Sequence, residues 1–195
     1  TTLSANSSGF SDTVSSIVNY EVALGDTTAD NIVAWTSVGT ATANTFENLS
    51  LTNATTYYFN VRATDLAWNV SAPATSDGIT VDTFSPTVGL PSDGGAEDLD
   101  YQGPSDTLAI HWSGNDTREI AYYQYSVGTT AGDTNVTPWT DNGTATAVVI
   151  TDFVLTHETV YYANVLAYDM AGNMSSVESS DGITADLSAP TVGWV

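Results

Sequence analysis

YYFNVRATDLAWN, residues Tyr57–Asn69, returns as YYANVLAYDMAGN, residues Tyr161–Asn173. A second stretch, SDGITVDTFSPTVG (Ser76–Gly89), returns as SDGITADLSAPTVG (Ser180–Gly193). Both returns fall 104 residues later (161 − 57 and 180 − 76). That period is too long for the roughly 20–50-residue units of solenoids and fits one β-sandwich of roughly 100 residues. The chain of 195 residues therefore reads as two domains in tandem.

Inside each copy the apolar residues alternate. Tyr57, Phe59, Val61 and Ala63 share one face of a strand, as do Tyr161, Ala163, Val165 and Ala167. Leu108–Trp112 and Ile120–Val127 are further strands, rich in aromatic and branched residues. Between the strands stand turn signals: Gly114-Asn115-Asp116, Asp141-Asn142-Gly143, Ala171-Gly172-Asn173 and Asp181-Gly182. No stretch shows a capped apolar period of 3.6 residues. Short strands spaced by turns predict an all-β antiparallel sandwich. In the second copy strand A is expected near Pro86–Pro91, then an Asp- and Gly-rich loop to about Ser105. Strands B (Thr107–Ser113), C (Ile120–Val127), a short strand around Trp139, E (Thr146–Asp152), F (Thr159–Tyr168) and G (about Val177–Asp186) follow.

Leu51, Thr55, Tyr57, Val61 and Ala63 stand as L-x3-T-x-Y-x3-V-x-A, and Leu155, Thr159, Tyr161, Val165 and Ala167 stand identically. This spacing resembles the E–F corner and F strand of fibronectin type III domains. Leu108 and Trp112 resemble that family's B strand; Tyr123 with Tyr125, and Tyr20 with Val22, resemble its C strand. The resemblance implies two tandem seven-stranded, immunoglobulin-like sandwiches, each pinned by a tyrosine whose ring is buried and whose hydroxyl bonds backbone near the corner. Trp112 supplies the largest apolar area of the second core. Ser7 aligns with it in the first copy, so either Phe10 or Trp35 refills the space or the first core is weaker. The second copy is expected to be the more stable.

The frames of the copies differ. Thr2-Leu3 aligns with Thr107-Leu108, so the first sandwich, residues 1–85, starts at strand B and lacks its own strand A. The second, residues 86–188, is whole. Ala189, Pro190, Thr191, Val192, Gly193, Trp194 and Val195 align with Ser85–Pro91 and form a spare strand A over 189–195. Two readings stand open: a window of a longer array, or a subunit that donates this strand head-to-tail to the next copy. Few residues separate the copies (Val81 to Pro86), and Pro86 and Pro190 stiffen the joints.

With 2 basic and 23 acidic side chains the net charge is −21, which repels nucleic acid and anionic lipid. No apolar run is long enough for a membrane helix, and no signal-peptide pattern is present, although a precursor can carry one. The chain has no cysteine, which excludes disulfides and thiolate sites but not secretion. Asn6, Asn48, Asn53, Asn69, Asn115, Asn142 and Asn173 begin sequons; Pro138 weakens a further one at Asn135. Oxygen-rich loops make Glu97, Asp98 and Asp100, and Asp65 and Asp169, the candidates for calcium, the one cofactor considered. In the D-x-A-x-N loops, Asp65–Asn69 and Asp169–Asn173, the simpler role is closing the turn. His111 and His157 match no zinc motif, and no nucleophile elbow or phosphate loop appears, so no catalytic residue is assigned. Trp68 sits where the other copy has Gly172 and is the candidate for stacking on a sugar. These readings predict an extracellular or cell-surface, non-enzymatic module. It would be a stalk, adhesin repeat or filament subunit, with neighbouring modules or its own copies as partners. The alternative is a carbohydrate- or protein-binding accessory region of a secreted enzyme or adhesin.

Overall fold

Alternating side chains become paired strands along the whole chain, and the described residues contain no helix. The computed structural model describes residues 1–26, 30–95 and 97–193. Two units separate, Thr1–Thr83 and Phe84–Val195.

The first unit holds β1 (Leu3–Asn6), β2 (Ile17–Gly25), β3 (Val33–Gly39), β4 (Ala43–Phe46), β5 (Thr56–Asp65), β6 (Ala74–Thr75) and β7 (Ile79–Thr80). One sheet is β1 with β4, the other runs β3-β2-β5-β6, with β7 also on β5. The second sheet is organised by the long antiparallel pair β2–β5, which sets Tyr20 opposite Ala63 and Leu24 opposite Phe59. Leu3, Leu24, Tyr57 and Phe59 are the buried centre, flanked by Phe46, Leu49, Leu51 and Val81. Phe46 of one sheet stacks on Phe59 of the other at 5.7 Å.

The second unit holds β8 (Thr87–Val88), β9 (Ser92–Asp93), β10 (Tyr101–Gln102), β11 (Leu108–His111), β12 (Gly114–Asn115) and β13 (Ile120–Gly128). It continues with β14 (Thr137–Asp141), β15 (Ala147–Ile150), β16 (Val160–Asp169), β17 (Glu178–Ser179) and β18 (Ile183–Ala185). Its sheets run β15-β11-β9 and β10-β18-β16-β13-β14, with β17 on β16 and a small β8–β12 pair. Leu108, Ile110 and Trp112 from one side meet Tyr123, Val127, Tyr161 and Val165 from the other, all buried. This core is the larger, as the extra strand and the indole require.

In both units a buried tyrosine enters the central strand with its hydroxyl on backbone. The Thr52 N–H donates to Tyr57 Oη at 2.8 Å, and the Thr156 N–H to Tyr161 Oη at 2.9 Å. The missing tryptophan of the first unit is replaced in kind. Phe10 meets Tyr20 edge-on at 5.6 Å, as Trp112 meets Tyr123 at 5.8 Å. Phe10 is only half-buried, whereas Trp112 is 2% exposed, so the replacement contributes less area. Trp35 does not take that place; it lies under the Arg62 guanidinium, 4.4 Å from the ring centre.

Three strands depart from expectation. Strand A is split around Pro91, whose nitrogen cannot donate to a ladder: β8 pairs β12, while β9 pairs β11. The loop expected to run bare to Ser105 carries β10, which lies parallel to β18. Strand G breaks into β17 and β18 at the Ser180-Asp181-Gly182 turn. Gly182 has φ +100 there, and a Cβ would meet Val160 and Tyr162 at 2.8 Å. In the second unit β11 is flanked on both sides; in the first, β1 pairs β4 and no other strand among the described residues. Ala189–Gly193 is exposed and carries no strand; Trp194 and Val195 lie outside the described residues.

Calorimetry of the whole chain should resolve two transitions, the upper belonging to the second unit. Trp112→Ala should remove about 3–5 kcal/mol from the upper transition, and Phe10→Ala should remove less from the lower. Tyr161→Phe should cost the second unit about 1–2 kcal/mol, because the Thr156 N–H then lacks its acceptor.

Candidate functional site

The loop that leaves the central strand is built the same way twice. The Asp65 carboxylate accepts the Asn69 N–H at 2.8 Å and the Asn69 Nδ2 at 2.9 Å. Asp169 accepts the same groups of Asn173 at 2.8 and 2.7 Å, and the Ala171 N–H at 2.8 Å. Both oxygens of each carboxylate are therefore engaged within their own turns. The bonds from Asn69 hold the Asp65 carboxyl below its usual value of 3.8. Each turn needs a left-handed residue at its fourth position. Gly172 fills it at φ +88, whereas Trp68 fills it at φ +68. A bulky residue is strained there, by roughly 1–2 kcal/mol. Trp68 is also 81% exposed, with Leu66 and Val70 exposed beside it. They border a shallow concave surface shared with Val18, Asn19, Glu21 and Ser37.

A second site lies on the second unit. Asp93 on β9, Asp98 in the following loop and Asp181 in the turn before β18 each bring a carboxylate oxygen within 4.8 Å of the others. Asp98 and Asp181 are exposed, but Asp93 is fully buried. Neither Asp93 oxygen has a hydrogen-bond partner. Burial pushes its carboxyl up to about 6; the Ser180 hydroxyl opposes the rise, and Asp98 and Asp181 add to it. Ser180 Oγ also accepts the Ala163 N–H at 2.9 Å. Of the carboxylates anticipated from sequence, Asp98 joins this group. Glu97 and Asp100 are exposed in the same loop, Asp100 using its carbonyl to accept the Thr184 N–H at 2.9 Å. Asp93 and Asp181 were not anticipated. They stand 88 residues apart (181 − 93), and only the folded chain brings them together.

The remaining candidates scatter. His111 is exposed on β11; His157 Nδ1 accepts the Leu187 N–H at 3.0 Å, 3.8 Å from Asp186. Asn69 and Asn173 donate Nδ2 to Asp65 and Asp169, and Asn142 donates to the carbonyls of Ala145 and Ala147. Asn53 accepts from Thr83. Asn6, Asn48 and Asn115 are exposed.

Each unit is a two-sheet, all-β sandwich with a tyrosine-pinned corner, and the two together have the fold of tandem fibronectin type III-like modules. No family model matches the chain. Over 167 residues, 80% of the chain, it is 33% identical to exoglucanase B of Cellulomonas fimi, and it spans 14% of that protein's length. Among solved structures it resembles the fibronectin(III)-like modules of Clostridium thermocellum CbhA, with a TM-score of 0.55 and 13% identity. That match covers 95% of this chain and 86% of the other. It also resembles the FN1–FN3 domains of chicken CNTN1, with a TM-score of 0.51 and 15% identity over 86% of this chain and 56% of that one. At such identities the structural likeness establishes the fold.

Trp68→Gly should raise the midpoint of the lower transition, because glycine adopts the left-handed conformation without strain; the gain expected is about 1 kcal/mol. Asp65→Ala should lower that midpoint at neutral pH. Because the Asp65 carboxyl titrates below 3.8 in the folded chain, its contribution is present above that value and lost on further acidification. The gap between wild type and variant should narrow in thermal melts below that pH.

Proposed function

We propose that this chain is a non-catalytic, extracellular module pair that spaces or supports the working domains of a larger protein. The observation that carries this reading is the reach of the match to exoglucanase B: 80% of this chain against 14% of that protein. What the two share is a stretch the length of two sandwiches, not of a whole enzyme. The fold agrees, since the side chains joining the sheets are apolar and aromatic, fitted to packing rather than to chemistry. The high negative charge keeps such a surface soluble and apart from anionic polymers. Incubated with soluble and crystalline β-glucans, the purified chain should release no reducing sugar above buffer. Sustained release with turnover would overturn the reading.

Within a stalk, adhesin repeat or filament, a neighbouring strand adds at the edge of β1 that no strand covers among the described residues. A strand of the 189–195 type, from a neighbouring module or a second copy, supplies it by β-augmentation. A synthetic peptide of residues 189–195 should then raise the midpoint of the lower transition only. An unchanged midpoint at saturating peptide rejects that role.

A second reading is favoured by one observation, the strained and exposed Trp68. An exposed indole beside apolar neighbours can serve as a platform for the face of a sugar ring. Affinity electrophoresis in β-glucan gels should show retardation of the wild type that Trp68→Gly abolishes. Equal mobility of the two proteins removes the glycan reading and leaves the module reading intact.

A further inference from the structure

A buried carboxylate without partners is the least expected group in a sandwich. Asp93 ends β9, the outer strand of the β15-β11-β9 sheet, and its oxygens are shut off from water. An ionised carboxylate in that state is unfavourable by several kcal/mol unless a counter-charge reaches it. Two more carboxylates, each with an oxygen within 4.8 Å, deepen the problem.

The backbone holds them in place. The Asp93 N–H donates to Asp98 Oδ1 at 3.2 Å, and the Leu99 N–H donates to the Asp93 carbonyl at 2.9 Å, so the loop curls back over its start. Gly94 turns the chain at φ +97, leaving the space that Leu99 occupies. Downstream, the Thr184 N–H bonds the Asp100 carbonyl at 2.9 Å and β10 zips parallel to β18. That seam brings the loop against the Ser180–Gly182 turn, and with it Asp98 against Asp181. Two loops and a strand thus converge their negative charge on one point.

We infer that Asp93, Asp98 and Asp181 form a binding site for one divalent cation of the calcium type, clamping β9 of one sheet to the turn before β18 of the other. The donor set is oxygen only, which selects a hard cation. Three carboxylates supply three to six oxygens. Because Asp98 and Asp181 face solvent, water completes the six to eight that calcium takes. Magnesium, which demands a stricter octahedron and dehydrates reluctantly, fits such a loop-borne set less well. The inference is independent of the proposed function: a clamp between sheets serves any load-bearing or exposed module. Protonation of Asp93 is the other way to neutralise the site, and the experiment separates the two.

The test is calorimetry of the whole chain in chelator and in calcium, with magnesium at equal concentration as the reference. Calcium at about a hundredfold over its dissociation constant should raise the upper transition by roughly 10 °C, with one ion bound per chain by titration and a smaller response to magnesium. The lower transition should stay in place. Asp93→Asn keeps the shape of the side chain. It should fold with a metal-free midpoint at or above wild type, yet lose the calcium shift; Asp181→Asn should lose it too. Glu47→Gln, on the other unit, should keep it. No calcium shift in the wild type would mean that a proton neutralises Asp93 and would overturn the site. An equal shift in wild type and Asp93→Asn would mean diffuse screening of the acidic surface and would also overturn it.

Discussion

Each sandwich hangs on one side chain: a tyrosine that buries its ring between the sheets while its hydroxyl accepts the amide of a residue five positions earlier. The chain must cross from one sheet to the other just before the longest strand, and a crossover exposes backbone amides that no ladder satisfies. The Tyr57 and Tyr161 hydroxyls satisfy one such amide each and fix where the strand enters. The ring then becomes a wall against which the rest of the core packs, Phe153 against Tyr161 in the second unit at 5.2 Å. A ring of this kind buries roughly 150–250 Å² and adds directional contacts to area alone. Once that anchor is placed, the register of the central pair follows, and with it the side on which every alternate residue falls.

The two units solve the opposite wall differently. The second uses Trp112, the residue that follows β11, which reaches Tyr123 across the sandwich. In the first, Ser7 follows the equivalent strand, and a ring from the next segment, Phe10, reaches Tyr20 instead. The geometry of contact is kept while the source of the ring changes. The replacement lies nearer the surface, and the first core closes over fewer buried side chains. Flanking strands follow the same division, since β11 has neighbours on both edges and β1 has one among the described residues.

Much of this was legible in the sequence because it is periodic. The repeated L-x3-T-x-Y-x3-V-x-A run placed the corner and the central strand, and the alternation placed the core faces. The turn role of Asp65 and Asp169 was legible too, since Asp and Asn four residues apart close such loops by themselves. The oddity of Trp68 showed in its alignment with Gly172, although the left-handed backbone that explains the pairing shows only in the fold. What was not legible depends on contacts distant along the chain. A two-residue parallel strand such as β10 has no periodic signature, and Pro91 hid the split of strand A. Asp93 and Asp181 look like any other acidic residues in a chain with 23 of them. Burial distinguishes Asp93, and burial is not written in a local pattern.

Units that each fold around their own anchor suit the spacing role proposed for the chain. Native-state hydrogen exchange at the Thr52 and Thr156 amides tests that anchor most directly. If the tyrosine hydroxyls anchor the sandwiches, both amides exchange only when their own unit unfolds globally, with Thr156 the slower of the two. Exchange of either amide at the rate of an open loop, while the core strands stay protected, would contradict it.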